Sequence, residues 1–293
     1  MQRKISKFIH TLRCTLFGDP PPKVAVVRLY GVIAAGKRFR GGINMASVAG
    51  QLEQAFSMPG VAAVALQVNS PGGSPVQSAL ITGRIRALAR EKDIPVLVFA
   101  EDVAASGGYM LALAGDEIYA NESSIVGSIG VISSGFGFTE AIKKLGIERR
   151  LYTAGESKAM LDSFSEEKEE DVERLKAIQL DIHEHFKTLV KDRRGKRLKG
   201  LRARIFSGDV FTGTDAVKMG LIDGIGDIRT VLRDRFGKKV RMRVIGERKP
   251  RFSALLGLGR SMGDGGESNT MADLPQEMLS AIEERLFWNR FGL

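Results

Sequence analysis

Cysteine and histidine are scarce in this sequence. Its 293 residues include one cysteine, Cys14, and three histidines. A lone cysteine cannot form a disulfide within the chain, so the hydrophobic core has to stabilise the fold. His183 and His185 lie two residues apart in a helix-like stretch, a spacing that points them to different helix faces and favours two solvated side chains over a metal site. We therefore expect no metal and no other cofactor.

Long apolar segments are also absent. No apolar run approaches the ~20 residues that are needed to cross a bilayer. The N-terminal segment is basic, and its apolar side chains recur at helical spacing: Ile5, Phe8, Ile9, Leu12 and Leu16. This pattern predicts an amphipathic segment over residues 1–22 that contacts an anionic membrane surface. A helix that packs on its own domain and a cleaved organelle-targeting segment are the alternatives.

Acidic residues are too few to balance the basic ones, since the formal net charge is +10. Residues 191–204 alone carry eight basic residues against the single acid Asp192. Such a block can bind nucleic acid or anionic lipid, or it can be a solvated face. Aromatic residues do not interleave with it and no nucleic-acid-binding motif is visible, so we expect no nucleic acid partner.

Strand patterns and helix patterns alternate along the chain. The apolar runs of strand length are 24–33, 61–68 and 94–100, and the helical patterns between them are 45–57 and 75–91. Later patterns indicate a helix near 138–146, a strand near 148–154, a polar helix over about 165–195 and a strand at 239–246. This alternation predicts an α/β fold with a largely parallel sheet.

The same patterns suggest how the chain is divided. We expect one large domain over residues 23–250, preceded by the basic segment 1–22. Residues 251–293 read as a flexible linker followed by an amphipathic tail whose apolar side chains are Met278, Ile282 and Leu286.

Two glycine-containing loops follow predicted strands, and functional groups of α/β folds gather at that edge of the sheet. The first loop is Ser70-Pro71-Gly72-Gly73, whose backbone N–H groups can face a cleft and stabilise an oxyanion, although the motif is also typical of a plain turn. The second holds Ser106 between small residues, after a strand and at the start of a helix. Ser106 is therefore either an exposed nucleophile or an ordinary helix N-cap.

A serine nucleophile needs a base, and the histidines offer no good one. His10 lies in the N-terminal segment, and the other two lie in a polar helix, so a Ser-His-Asp triad is poorly supported. Lysine can serve when burial disfavours its charged form. Lys158 follows a predicted strand and precedes the apolar residues Met160 and Leu161; the alternative is a surface lysine.

Several segments in the same order resemble signal peptide peptidase A, a family of bacterial serine peptidases with the Clp protease/crotonase fold. They are NSPGG (69–73), EDVAASGGYMLA (101–112), IVGSIGV (125–131), YTAGESK (152–158) and RIFSGDVFTGTDAVKMGLIDGIG (204–226). The resemblance implies an α/β fold with repeated β-β-α units. It also implies Ser106 as nucleophile, Lys158 as base and Gly73 as an oxyanion donor, and we expect a second donor near Gly107.

The sequence departs from this family in two features. Many members have an N-terminal transmembrane anchor where this chain has a basic segment, so we expect a bacterial protein that is cytoplasmic or peripherally attached to a membrane. Long members carry two copies of the fold and relatives form rings, so one copy implies a homo-oligomeric ring.

The resemblance predicts a serine endopeptidase with a Ser–Lys dyad. Its substrates would be peptides, either signal-peptide remnants or other short or unfolded chains. Two alternatives stay open: a crotonase-like acyl-CoA enzyme on the same fold, and a non-catalytic membrane-associated scaffold.

Overall fold

The computed structural model describes residues 20–35, 42–155, 157–246, 282 and 284–292. Within these ranges the strands are β1 (Lys23–Tyr30), β2 (Val61–Ser70), β3 (Val96–Ala105), β4 (Glu117–Ala120), β5 (Ile125–Gly127), β6 (Val210–Thr212), β7 (Gly224–Ile225) and β8 (Arg241–Val244). The helices are α1 (Met45–Phe56), α2 (Pro75–Lys92), α3 (Gly107–Ala112), α4 (Thr139–Lys144), α5 (Glu169–Arg194), α6 (Arg202–Ile205), α7 (Gly213–Met219) and α8 (Ile228–Phe236). Residues 284–289 are also helical.

The strands form one sheet in the order β6-β5-β3-β2-β1-β8, with β4 paired to β3 and β7 paired to β4. All pairs are parallel except β5 with β6. The predicted α/β class with a largely parallel sheet is therefore confirmed. Two isolated parallel bridges lie beyond these strands. Ile33, after β1, pairs with Ile43 and with Gly73, which follows β2.

The core lies on both faces of the sheet, because alternate side chains of a strand point to opposite faces. In β1, Ala25 and Val27 pack in the large cluster with the buried residues of α1, α2 and α3. Val24 and Val26 pack on the other face, in a smaller cluster with Leu232 of α8. Both faces of the central strands are thus covered, which explains why β1, β2 and β3 are nearly continuous apolar runs.

The predicted strand near 148–154 is wrong, because no strand forms there. Residues 148–155 are exposed, and Tyr152 is 89% exposed. An extended segment becomes a strand only when a neighbouring strand satisfies its backbone groups, and no described strand runs beside this one. The segment belongs instead to a projection, residues 131–168, that stands away from the sheet and carries Lys158.

Part of the basic block 191–204 is used inside the fold. Arg194 is 2% exposed and binds both carboxylate oxygens of Asp223, at 2.8 and 3.0 Å. Arg193 donates to the carbonyls of Leu113 and Gly115, just after α3. Three of the eight basic residues, including Arg197 beside Asp223, thus fix the end of α5 to the sheet, so this block is not simply a solvated face.

Most of the two terminal segments lies outside the described residues. This holds for residues 1–19, where the predicted membrane-contacting helix would lie, and for Met278 of the tail. In the described part of the tail, Ile282 and Leu286 are each 55% exposed, while Phe287 packs against Val32 and Ala34. The buried face of this helix is therefore not the predicted apolar stripe. Among the described residues, no helix is both long and apolar enough to cross a membrane.

Candidate active site

Ser106 stands at the point where β3 ends and α3 begins. Residues 103–115 are all buried except Ser106, which is partly exposed. Its backbone has φ 52° and ψ −120°, a conformation that residues with a side chain rarely adopt. This strained corner places one serine side chain at the protein surface among small residues such as Ala105 and Gly107 that cannot cover it.

The side chain of Ser106 is not a helix cap. No capping hydrogen bond leads from it to α3, so the N-cap alternative is wrong. Its backbone N–H donates instead to the carbonyl of Gly127 at 2.8 Å, which ties the corner to the end of β5. The hydroxyl makes no hydrogen bond with any described residue and can act on a substrate.

The Gly72-Gly73 loop lies directly against this corner. A Cβ on Gly72 would stand 2.8 Å from the Cβ of Ser106 and 2.9 Å from the backbone N of Gly107. Ile33 holds the loop from the other side: its N–H donates to the Gly72 carbonyl at 2.8 Å, and its carbonyl accepts from Ser74 at 2.7 Å. Only glycine fits here, because both glycines have a positive φ and both approach other backbone closely.

Two backbone N–H groups beside Ser106 have no acceptor among the described residues, those of Gly73 and Gly107. They are close together, since a Cβ on Gly107 would lie 3.3 Å from the Gly73 nitrogen. Gly107 is buried and Gly73 is half-buried. N–H groups in such positions are normally paired, so two without an acceptor beside a partly exposed hydroxyl suit a ligand oxygen. The structure thus brings three of the four predicted site residues together: Ser106, Gly73 and Gly107.

Three buried hydroxyl groups, which the sequence did not single out, hold this loop and the adjoining helix α3 in place. Ser70 accepts from the Gly72 N–H at 3.2 Å, Ser78 donates to the Ser74 carbonyl at 2.8 Å, and Thr82 donates to the Met110 carbonyl at 2.9 Å. Ser78 and Thr82 are four residues apart on α2, so they lie on one helix face. In the sequence, this spacing of small polar residues on an otherwise apolar helix face was the pattern that could have identified them.

Ser128 is a further polar residue of this region. It follows Gly127, whose carbonyl accepts the Ser106 N–H, and it is only 8% exposed. Its φ is 51°, so a second serine is held in a left-handed conformation next to the candidate nucleophile.

Lys158 is placed apart from the other three. It is exposed, lies in a turn of the projection, and makes neither an ion pair nor a side-chain hydrogen bond with a described residue. The turn is tied to α5 by a hydrogen bond from Arg174 to Ser157. His183, nine residues further along α5, bonds to the Ile129 carbonyl, close to the end of β5. At 1.5 Å per residue, Arg174 and His183 are about 14 Å apart along the helix axis.

His183 is therefore partly buried and bonded, and is not a solvated helix residue as expected, whereas His185 is exposed. Among the described residues, no cluster of three or more His, Cys, Asp or Glu side chains could hold a metal ion.

The antiporter NhaA of Brucella abortus is 51% identical to this chain over 273 residues, which are 92% of this chain and 37% of that protein. A putative signal peptide peptidase SppA of Enterococcus faecium is 32% identical over 60% of this chain and 51% of its own length. A putative protease of Synechocystis is 29% identical over 92% of both chains. The chain thus spans little more than a third of the antiporter relative.

The family model of peptidase family S49 matches residues 88–239, which include Ser106, Gly107 and Lys158 and are more than half of the chain. The sequence motifs that resemble signal peptide peptidase A and the geometry around Ser106 agree with this match. The chain belongs to peptidase family S49.

Proposed function

We propose that this chain is a serine peptidase in which Ser106 attacks the scissile carbonyl and Lys158 is the general base. The observation that carries the proposal is the corner at Ser106. One exposed hydroxyl, free of capping, stands beside two N–H groups that have no acceptor among the described residues. The match to peptidase family S49 over residues 88–239 supports the same activity.

The proposed reaction is acyl transfer in two steps. Uncharged Lys158 takes the hydroxyl proton of Ser106 as its oxygen bonds to the substrate carbonyl carbon. The N–H groups of Gly73 and Gly107 then donate to the oxygen that becomes negative. Collapse of the intermediate releases the amine, which takes the proton from Lys158, and water hydrolyses the acyl-enzyme by the same route.

We further propose that Lys158 serves the Ser106 of a neighbouring subunit. Two observations support this: Lys158 is exposed, and its turn contacts α5 at Arg174, about 14 Å along the helix from His183, which bonds to Ile129. A lysine is a base only when uncharged, and an ammonium in open water keeps its proton. Insertion into a neighbour would remove that water and bring the base to the nucleophile.

The proposed substrates are peptides in extended form. Signal-peptide remnants are the class that the name of the Enterococcus relative suggests, and short or unfolded chains fit the same site. The antiporter relative, of which this chain covers 37%, supports work close to a membrane. Contact of residues 1–22 with an anionic membrane lies outside the described residues and stays a prediction.

Hydrolysis of a fluorogenic peptide by the wild type, Ser106→Ala and Lys158→Arg tests the activity. Both variants should fall to the background of a mock purification, because one lacks the attacking oxygen and the other carries a guanidinium that does not deprotonate. Thioester hydrolysis without peptide hydrolysis would favour the acyl-CoA alternative. Peptide hydrolysis that survives in Ser106→Ala would refute the assignment.

A further inference from the structure

An arginine of α5 contacts the turn that carries Lys158. Arg174, in the second turn of α5, donates from its guanidinium to the Ser157 hydroxyl at 2.5 Å. Ser157 is the residue immediately before Lys158. Within the turn, the Lys158 N–H donates to the Gly155 carbonyl at 3.2 Å and the Met160 N–H donates to the Ser157 carbonyl at 3.4 Å. The Arg174 contact thus fixes Ser157, at the centre of the turn. The backbone of this turn determines where the Lys158 side chain points.

Arg174 also contacts a carboxylate that is largely buried. Asp171, one turn earlier on α5, lies 3.5 Å from the Arg174 guanidinium, and its residue is only 9% exposed. The neighbouring acids of this first turn, Glu169 and Glu170, are exposed. A buried carboxylate requires a partner, and here that partner is the cation that reaches Ser157.

Two other charged groups of this region also make contacts. On α5, Glu170 is a second acid beside Arg174, at 3.9 Å. On the turn side, Asp162 binds Arg149 at 3.3 Å and accepts from the Ser165 hydroxyl at 3.0 Å. Arg174 is therefore a cation that a direct contact places one residue from Lys158, within a chain of Asp171, Arg174 and Ser157.

We propose that Arg174 is the positioning residue of the general base: it orients the Lys158 turn through Ser157. The effect follows from geometry, because a misplaced base transfers protons poorly. This inference rests on the proposed role of Lys158.

The kinetic test uses four variants and follows kcat and KM separately. Arg174→Gln should lower kcat by about tenfold or more with little change in KM, because it removes the guanidinium that donates to the Ser157 hydroxyl. Ser157→Ala should also lower kcat, because it removes the hydroxyl that accepts. Arg174→Lys should lower kcat less than Arg174→Gln, because its ammonium group can still donate to Ser157. Arg150→Gln, whose exposed partner is Glu148, is the matched control and should behave as the wild type.

The double variant Ser157→Ala/Arg174→Gln separates a tether from two independent effects. If the two residues act through one contact, its kcat should equal that of Arg174→Gln and should not fall by the product of the two single losses. Wild-type kcat in Arg174→Gln would overturn the proposal. If that variant does not fold, Ser157→Ala and Arg174→Lys carry the test, and wild-type kcat in both would overturn the proposal.

Hydrogen exchange of the peptide that covers residues 155–162 distinguishes failure of this inference from failure of the proposed function. Exchange should be faster in Arg174→Gln than in the wild type or Arg150→Gln, whether or not the protein hydrolyses peptides. Faster exchange in Arg174→Gln, together with a wild type that hydrolyses no peptide, would leave the tether standing and refute the dyad. Unchanged exchange would refute the tether.

Discussion

The backbone around Ser106 decides what this site can do. The strained corner turns the hydroxyl outward, and the N–H groups of Gly73 and Gly107, which have no acceptor among the described residues, lie beside it. The sequence motifs identified these residues but not the reason for each glycine. A Cβ on Gly73 would lie 2.0 Å from the Ile33 carbonyl oxygen. Contact with the protein itself, rather than with a substrate, therefore excludes a side chain at this position.

Gly72 offers the sharper test at this scale. Gly72→Ala should lower turnover by about 100-fold or more, because the new methyl group would stand 2.8 Å from the Ser106 Cβ and displace the oxyanion donors. Steady-state hydrolysis of a fluorogenic peptide measures the loss. Gly60→Ala is the control, since Gly60 also has a positive φ, 70°, but has nothing within 4 Å of its Cβ position. Equal turnover in the two variants would show that crowding at Ser106 is unimportant.

At the scale of elements, α5 connects two parts of the site. Its C-terminal end is fixed to the sheet through Arg193 and Arg194, and its N-terminal end holds the Lys158 turn through Arg174. Burial alone raises the pKa of Asp223, but hydrogen bonds from Arg194 and from the Ile118 N–H outweigh it and hold this pKa below its usual value.

Asp223→Asn should therefore destabilise the fold by about 3 kcal/mol at neutral pH, because it leaves the Arg194 guanidinium buried without its carboxylate. A group with a lowered pKa stabilises the fold above its unfolded pKa of about 3.9 and loses this contribution as pH falls through the folded value. The difference between the variant and the wild type should thus shrink below pH ~4, as urea unfolding at two pH values can show.

Asp215→Asn is the control for this experiment. Asp215 makes an exposed ion pair with Lys218, and such pairs contribute about 0–1 kcal/mol. A loss in Asp223→Asn no larger than in Asp215→Asn would contradict the role given to the Arg194 pair.

The strands and helices of the sheet could be predicted because their periodicity reflects burial inside one chain. β1, β2, α1 and α2 lie within a few residues of the predicted ranges. The projection could not be predicted in the same way. Leu151 and Tyr152 are apolar residues of a strand-like pattern but lie exposed without a described strand beside them. An apolar pattern indicates that side chains are buried, but it does not indicate whether the same chain or another chain covers them.

The roles of the basic block were also beyond the sequence. A run of lysines and arginines predicts surface charge, and only the fold shows that Arg193, Arg194 and Arg197 meet carbonyls and Asp223. Partners that lie 26 to 80 residues away along the chain leave no local pattern.

At the scale of the whole molecule, the projection is a part whose apolar side chains the described residues leave uncovered. It presents exposed apolar side chains, among them Ile132, Phe136, Leu145 and Tyr152, together with the exposed Lys158. The proposed ring would cover these side chains and complete each site from two subunits. An interface that closes on itself in this way gives a ring of defined size.

Coexpression of Ser106→Ala with Lys158→Ala tests the shared site, because each variant should be inactive alone. If the base comes from a neighbour, random mixing in equal amounts restores about a quarter of the sites. If both residues of a site come from one chain, every site carries a lesion. Mixed assemblies that native mass spectrometry confirms but that hydrolyse no peptide would refute the sharing.

The role of Ser106 as nucleophile is the central claim, and covalent labelling tests it most directly. The wild type is treated with a fluorophosphonate, its intact mass is measured, and the modified residue is mapped by peptide mass spectrometry. We predict one adduct per subunit, on Ser106, with none in Ser106→Ala and much slower labelling in Lys158→Ala. An adduct on another residue, or equal labelling of Ser106→Ala, would contradict the assignment.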